Sequence, residues 1–133
     1  PLEFIVVGLL LLVPLVYLVV ALGTIQAQAL GAEAGARHVA RAVATASDPA
    51  EAGARADRVI QAVAGEYGMD GVDVTFSCSS DGDCPEPGAT LVVTLRTRVA
   101  LPLVPPLFGL DELASIPVEA TALQKVSRFW GTQ

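Results

Sequence analysis

Two cysteines are the side chains with the clearest chemistry in this sequence. Cys78 and Cys84 flank the polar segment Ser-Ser-Asp-Gly-Asp, and the chain contains no other cysteine. Outside the cytoplasm, two cysteines so close together are expected to form a disulfide bond. A free pair of thiols is the alternative, and a metal site is disfavoured because Cys-x5-Cys with no second pair lacks four ligands. We therefore predict a disulfide between Cys78 and Cys84.

The patterns typical of catalysis and metal binding are otherwise missing from the sequence. The single histidine, His38, lies between two arginines, and we expect a solvated or interface side chain there. Asp81-Gly82-Asp83 matches part of a calcium loop but lacks a bidentate glutamate at the required spacing. No nucleophile elbow, His-Glu-x-x-His motif or phosphate-binding loop is present. We therefore expect no enzyme activity, no cofactor and no bound metal.

Charge and hydrophobicity exclude some functions and favour others. The 133 residues carry 14 acidic and 8 basic side chains, which gives a formal net charge of −6. Binding to nucleic acid needs a basic surface, so we predict no nucleic-acid partner. Hydrophobic residues make up 53 % of the chain and charged residues only 17 %, respectively above and below the averages for soluble proteins. This excess of hydrophobic residues lies mainly near the N-terminus.

The apolar N-terminal segment is long enough to cross a lipid bilayer. Residues Phe4 to Leu22 contain no charged or amide side chain. As a helix, such a segment spans a hydrocarbon core of roughly 30 Å. Glu3 directly precedes it, and either stays at the membrane interface or is buried and pairs with a cation on a neighbouring subunit. Pro14 leaves the carbonyl of Leu10 without its helical partner, which predicts a kink or a locally melted turn.

Helical signals continue beyond this apolar segment. One helix is predicted from about Glu3 to Ala46 and a second from about Pro49 to Glu66, with its stop near Gly68. Asp48 suits the N-cap of the second helix, and Glu51 occupies the reciprocal position of a capping box. The second helix carries an apolar stripe that is expected to face a sheet, formed by Val59, Ile60, Val63 and Tyr67.

Small residues recur at four-residue spacing in the alanine-rich part of the first helix. They are Ala27, Gly31 and Gly35. Small side chains at this spacing allow helices to approach one another closely. Two interpretations remain open from the sequence: a solvated helix that is simply rich in alanine, or a helix packed among copies of itself.

Three strands are predicted after the helices. Apolar residues alternate with polar ones over residues 72–78, 91–99 and about 116–127. The polar loop over residues 79–89 should turn the first strand into the second. We therefore predict an antiparallel sheet of three strands with the second helix on one face, which is an α+β head. The segment over residues 101–110 is rich in proline and large apolar residues, which disfavours regular structure. It either tucks under its own sheet or contacts a neighbouring subunit.

Taken together, these segments resemble the TadE-like pilins of the tight-adherence branch of type IV pili. Glu3-Phe4 opens an apolar run that contains Pro14, and a long helix then leads to a small sheet. Val99-Ala100-Leu101-Pro102 and residues 116–122, Ile-Pro-Val-Glu-Ala-Thr-Ala, are similar to the two C-terminal strands of that family. The family usually keeps four residues before the glutamate after processing, whereas two precede Glu3 here. Either two terminal residues are missing from this sequence or the processing differs.

The resemblance implies a pilin-like α+β protein that acts as a structural subunit. Residues 1–46 would form a membrane-spanning and filament-core helix, and residues 47–133 an extracytoplasmic head. The implied partners are copies of itself or related pilins, a prepilin peptidase and the pilus assembly machinery. The subunit would lie in the cytoplasmic membrane before assembly and in an extracellular adhesive filament afterwards, with Glu3 setting the register between subunits. The alternative is a single-pass membrane-anchored binding module that forms no fibre.

Overall fold

The protein has an α+β fold in which two helices precede an antiparallel sheet of three strands. This is seen in a computed structural model, which describes residues 1–80, 82, 84–104 and 107–130. Asp81 and Asp83, the two acids of the partial calcium loop, lie outside the described residues. The elements in chain order are α1 (Leu2–Ala44), α2 (Pro49–Tyr67), β1 (Asp70–Cys78), β2 (Thr90–Ala100), α3 (Leu110–Leu113) and β3 (Ser115–Lys125).

α1 is a single helix of 43 residues, as the sequence predicted within two residues at its C-terminal end. It ends where the backbone N–H of Thr45 donates to the carbonyl oxygen of Arg41, with an N···O distance of 3.1 Å. Pro14 lies inside the helix, and the helix continues unbroken through it. A locally melted turn before Pro14 is therefore absent from α1, whereas a bend of the helix axis stays a prediction.

The ends of α2 carry the capping residues that the sequence predicted. The Asp48 side chain accepts a hydrogen bond from the backbone N–H of Glu51 at 2.8 Å, and Pro49 is the first helical residue. Gly68 ends the helix with φ of 64°, a left-handed conformation in which glycine is preferred. The Glu51 carboxylate departs from the usual capping box, because it accepts from the backbone N–H of Ser47 at 2.8 Å rather than from that of Asp48.

The sheet has the order β1-β2-β3, with β2 in the centre. Buried and exposed residues alternate along β2 as predicted. Leu91, Val93 and Leu95 are fully buried on one face. The opposite face is polar and exposed, and Arg96 pairs with Glu119 across the strands at 2.7 Å. One face of the sheet therefore belongs to the core and the other faces solvent.

The helix that covers the sheet is α1, and the expectation that α2 would do so is wrong. The C-terminal half of α1 packs on β2 and β3, whereas α2 packs mainly on α1 and contacts the sheet chiefly at the edge strand β1. The stripe of Val59, Ile60, Val63 and Tyr67 is buried or partly buried against this core. An apolar stripe indicates that a face is covered, but it does not indicate which element covers it.

The core of the head begins within α1. Ala32, Ala36 and Val39 are fully buried in the same cluster as the central strand. At the other end of the head, the indole N–H of Trp130 donates to the carbonyl oxygen of Val43 at 3.3 Å. The predicted division at residue 46 therefore assigns the C-terminal part of α1 to the first segment, although this part of the helix belongs to the core of the head.

Candidate functional site

The most unusual surface of the molecule is the N-terminal half of α1. Every residue from 1 to 23 is exposed except Tyr17, which is half-buried, and Ala21. The helix is long and apolar enough to cross a membrane, with a mean hydropathy of 3.0 over its most apolar stretch. An exposed apolar surface of this size marks a contact with lipid or with other protein chains. The N-terminal half of α1 is therefore the primary candidate for a functional surface.

Glu3 lies in the first turn of α1, and its side chain is exposed. An acidic residue is favourable there, because the N-terminus of a helix carries a partial positive charge. Just beyond it the helix surface becomes wholly apolar as far as Leu22. The pairing of this carboxylate with a neighbouring subunit concerns a second chain and stays a prediction.

Two of the three small residues of α1 pack against other elements of the same chain. A methyl group added at Gly31 would lie 2.5 Å from Cγ of Tyr67 and 2.7 Å from Cε of Met69. A methyl group added at Gly35 would lie 3.0 Å from both Leu95 and Val63. These glycines therefore bring α1 close to α2 and β2 of its own head. Ala27 is exposed, and its packing against a copy of the chain stays a prediction.

The predicted disulfide between Cys78 and Cys84 is present. It joins the end of β1 to the loop that leads into β2, and no described cysteine is free. Just beyond Cys78, the backbone N–H of Ser79 donates to the carbonyl oxygen of Thr90 at 3.1 Å. The disulfide therefore closes the β1–β2 connection at the end of the head that lies far from the apolar helix.

A polar network holds the corner between α1 and α2, and the sequence analysis found only part of it. The Arg55 guanidinium donates to the Glu51 carboxylate at 2.7 Å and to the carbonyl oxygen of Thr45 at 3.3 Å. Hydrogen bonds from the side chain and backbone of Ser47, together with Arg55, lower the pKa of Glu51 to about 2. The four-residue spacing of Ser47, Glu51 and Arg55 was the signal for this network.

The described residues offer little that suits catalysis. Within them, no group of three or more His, Cys, Asp or Glu side chains is placed to hold a metal ion. His38 is exposed on α1. One open cleft is lined by Thr24, Gln28, Asp70, Arg98 and Ser115 and lies where α1 leaves the head.

Comparisons of the chain with known protein families, with curated proteins and with solved structures found no match. What this protein does must therefore be inferred from its own residues. The observation with the most weight is the pairing of an exposed apolar half-helix with a folded head that contains the other half of the same helix.

A second apolar surface is formed by the β2–β3 connection, residues 101–114. In its described part, Leu103 is 88 % exposed and Phe108 is 97 % exposed, so these side chains do not tuck under the sheet. Leu107, Leu110 and Leu113 are exposed as well. The short helix α3 forms here, where the prolines suggested no regular structure, because it begins after them. Pro105 and Pro106 lie outside the described residues.

Proposed function

We propose that this protein is a structural subunit of a type IV pilus of the tight-adherence kind. The single observation that carries the proposal is the architecture of α1. Its N-terminal half is apolar and exposed, and its C-terminal half is the core layer of the head. A subunit with this form can be held in a membrane and later packed by the same helix into a fibre.

The physical reason is that both environments keep the same apolar surface away from water. Water contact with the large side chains between Leu2 and Leu22 is unfavourable, and either lipid or a bundle of neighbouring helices removes it. The head would then form the outside of the fibre, where the polar face of the sheet meets solvent. Adhesion or surface contact is the role that this arrangement supports.

The proposal includes partners and a location. Copies of this chain or related pilins would surround α1, and Glu3 would set the register between them by pairing with an α-amino group. A prepilin peptidase and the assembly machinery would act on the subunit in the cytoplasmic membrane. The finished filament would lie outside the cell.

Electron microscopy of sheared surface material tests the proposal. Cells that express the chain with its assembly machinery should release filaments with a helical repeat that contain this protein. Cells that lack the machinery provide the control and should release none. A protein that stays with the membrane fraction in both cases, with no filaments, would support the anchored binding module instead and contradict the pilin proposal.

A further inference from the structure

β2 runs antiparallel to α1, so the head extends towards the apolar half of this helix. Gly35 lies against Leu95, and Thr24 lines the same open cleft as Ala100 and Ser115. The stretch from Leu95 to Ala100 covers about 16 Å as a strand, close to the rise of α1 from Gly35 back to Thr24. The β2–β3 connection therefore starts at the level of Thr24, just beyond the end of the apolar segment.

Partial burial along α1 continues past this level. Ala21 is 6 % exposed and Tyr17 is half-buried, while every other residue from 1 to 23 is exposed. Tyr17, Ala21, Thr24 and Gln28 lie on one side of the helix, and all four are at least partly covered. With residues 4–22 in the hydrocarbon core, Tyr17 lies about 7 Å inside its outer edge. The covered side of α1 therefore reaches into the outer part of the bilayer.

The β2–β3 connection, which leaves the sheet near the level of Thr24, exposes large apolar side chains. Leu103 and Phe108 are almost fully exposed, and their φ angles are 65° and 58°. Positive φ is costly for bulky residues, and exposure of their side chains to water is a second cost at the same positions. An apolar environment around this connection would remove the second cost.

The backbone of the connection is also suited to a nonpolar environment, and the connection carries no basic residue. Residues 101–106 include three prolines, which have no N–H group that would need a partner. The backbone N–H groups of Leu101, Leu113 and Ala114 each donate to a carbonyl oxygen within the connection. Residues 99–115 contain no lysine or arginine, and their charged residues are Asp111 and Glu112. Contact with a membrane would therefore be hydrophobic rather than an attraction to anionic headgroups.

We propose that the β2–β3 connection inserts into the outer leaflet of the same bilayer that α1 crosses, and that it holds the head against the membrane before assembly. This inference rests on the membrane-spanning role of α1 and does not require a fibre. Lipid is favoured over a second copy of the chain, because the connection leaves the sheet close to the outer end of the apolar segment of α1, where a bilayer that covers this segment would also end.

Depth-dependent quenching of tryptophan fluorescence tests the inference on the full chain in phosphatidylcholine vesicles. Phe108→Trp reports on the connection, Leu12→Trp reports on the apolar helix, and Phe129→Trp is the matched control because Phe129 is also exposed. The native Trp130 contacts Val43, which is about 30 Å beyond Leu22 along the helix axis, so its fluorescence should resist quenching by lipid.

Lipids brominated near the headgroup should quench Phe108→Trp and shift its emission to the blue, at low and high salt alike. Lipids brominated deep in the acyl chains should quench Leu12→Trp, and Phe129→Trp should behave like the wild type. An unquenched Phe108→Trp beside a quenched Leu12→Trp would overturn the insertion alone. If neither is quenched, the membrane role of α1 fails as well. A blue shift without quenching that grows with the protein-to-lipid ratio would identify a second copy as the occupant and also overturn the inference.

Discussion

At the residue scale, a disulfide bond and a small hydrogen-bond network stabilise two turns of the head. The disulfide between Cys78 and Cys84 closes the connection after β1, and the Glu51 carboxylate joins Ser47 and Arg55 at the corner between the helices. The disulfide and the network each link residues that are close in sequence, so each acts locally. Both can be tested without disturbing the apolar half of α1.

Loss of the disulfide should lower the stability of the head. Cys78→Ser combined with Cys84→Ser is expected to lower the free energy of unfolding by about 2–2.5 kcal/mol, because the unfolded chain regains loop entropy. Chemical denaturation of the full chain in detergent, followed by the fluorescence of Trp130, measures this change. Reduced wild type is the control and should match the double variant. Two free thiols on titration of the unreduced, unfolded wild type would contradict the prediction.

The Glu51 network should make the stability of the fold depend on pH in the acidic range. Its carboxyl group has a pKa of about 2 in the folded protein, below the ordinary value near 4.5. The stabilisation is present in full above about pH 4.5 and is lost as the pH falls towards 2, because the unfolded chain binds the proton first. Glu51→Gln should be less stable above pH 4.5 and should lose less stability on acidification.

Denaturation curves between pH 2 and pH 6 measure this difference. Glu66→Gln is the matched control, because Glu66 is exposed on the same helix and outside the network. It should keep the acid dependence of the wild type. If the curves of Glu51→Gln and wild type stay parallel over this range, the network does not stabilise the fold.

At the scale of elements, the close approach of α1 to α2 and to β2 organises the head. Gly31 and Gly35 leave room for the rings and branched side chains of the facing elements. The alanines around them, including Ala32 and Ala36, are fully buried because the helix lies so near the sheet. The small residues of α1 therefore determine how its C-terminal half can serve as a core layer.

A methyl group at Gly31 should be destabilising although alanine favours helices. Gly31→Ala places a carbon 2.5 Å from the Tyr67 ring, and such overpacking typically costs about 1–3 kcal/mol. This exceeds the gain of about 0.5–1 kcal/mol that alanine brings to a helix interior. Gly65→Ala is the matched control, since nothing lies within 4 Å of the added carbon, and it should raise the free energy of unfolding. Equal effects of the two substitutions on chemical denaturation would contradict this packing.

At the scale of the whole molecule, two apolar surfaces lie on the same end. The N-terminal half of α1 and the β2–β3 connection are both exposed there, whereas the disulfide and Trp130 lie at the far end. A molecule divided in this way has one end for lipid or neighbouring chains and another for solvent. The proposed cycle from membrane to fibre depends on this division.

The register role of Glu3 belongs to this scale. Glu3→Ala should leave the subunit stable and inserted in the membrane, because an apolar residue suits lipid better than a carboxylate. Filament yield should fall, because the register contact and the neutralisation of the α-amino group are lost. Glu3→Gln should give an intermediate yield, since it keeps hydrogen bonding without the charge.

Quantitative microscopy of sheared filaments measures this yield, with immunoblots of the membrane fraction as the measure of subunit level. Glu66→Ala removes the same charge from an exposed position on the head and should assemble normally. Normal filament yield from Glu3→Ala would remove the register role. For a membrane-anchored monomer that forms no fibre, both substitutions should have no effect on the protein.

Local signals in the sequence predicted most of the elements and their ends. Asp48 before Pro49 and the glycine at position 68 predicted the bounds of α2, and alternation predicted the buried face of β2. The spacing of Cys78 and Cys84 predicted their bond. These features depend on neighbours along the chain, through backbone hydrogen bonds, side-chain caps and a short covalent loop, so the sequence by itself determined them.

Only the tertiary structure decided which surfaces meet. It placed α1 rather than α2 on the sheet, gave Gly31 and Gly35 partners within their own chain, and left Phe108 exposed in the β2–β3 connection. A periodic pattern indicates that one face of an element is buried, and small residues indicate that another segment approaches closely. Neither identifies the partner, because burial depends on contacts between segments far apart in sequence, and several arrangements bury the same faces equally well.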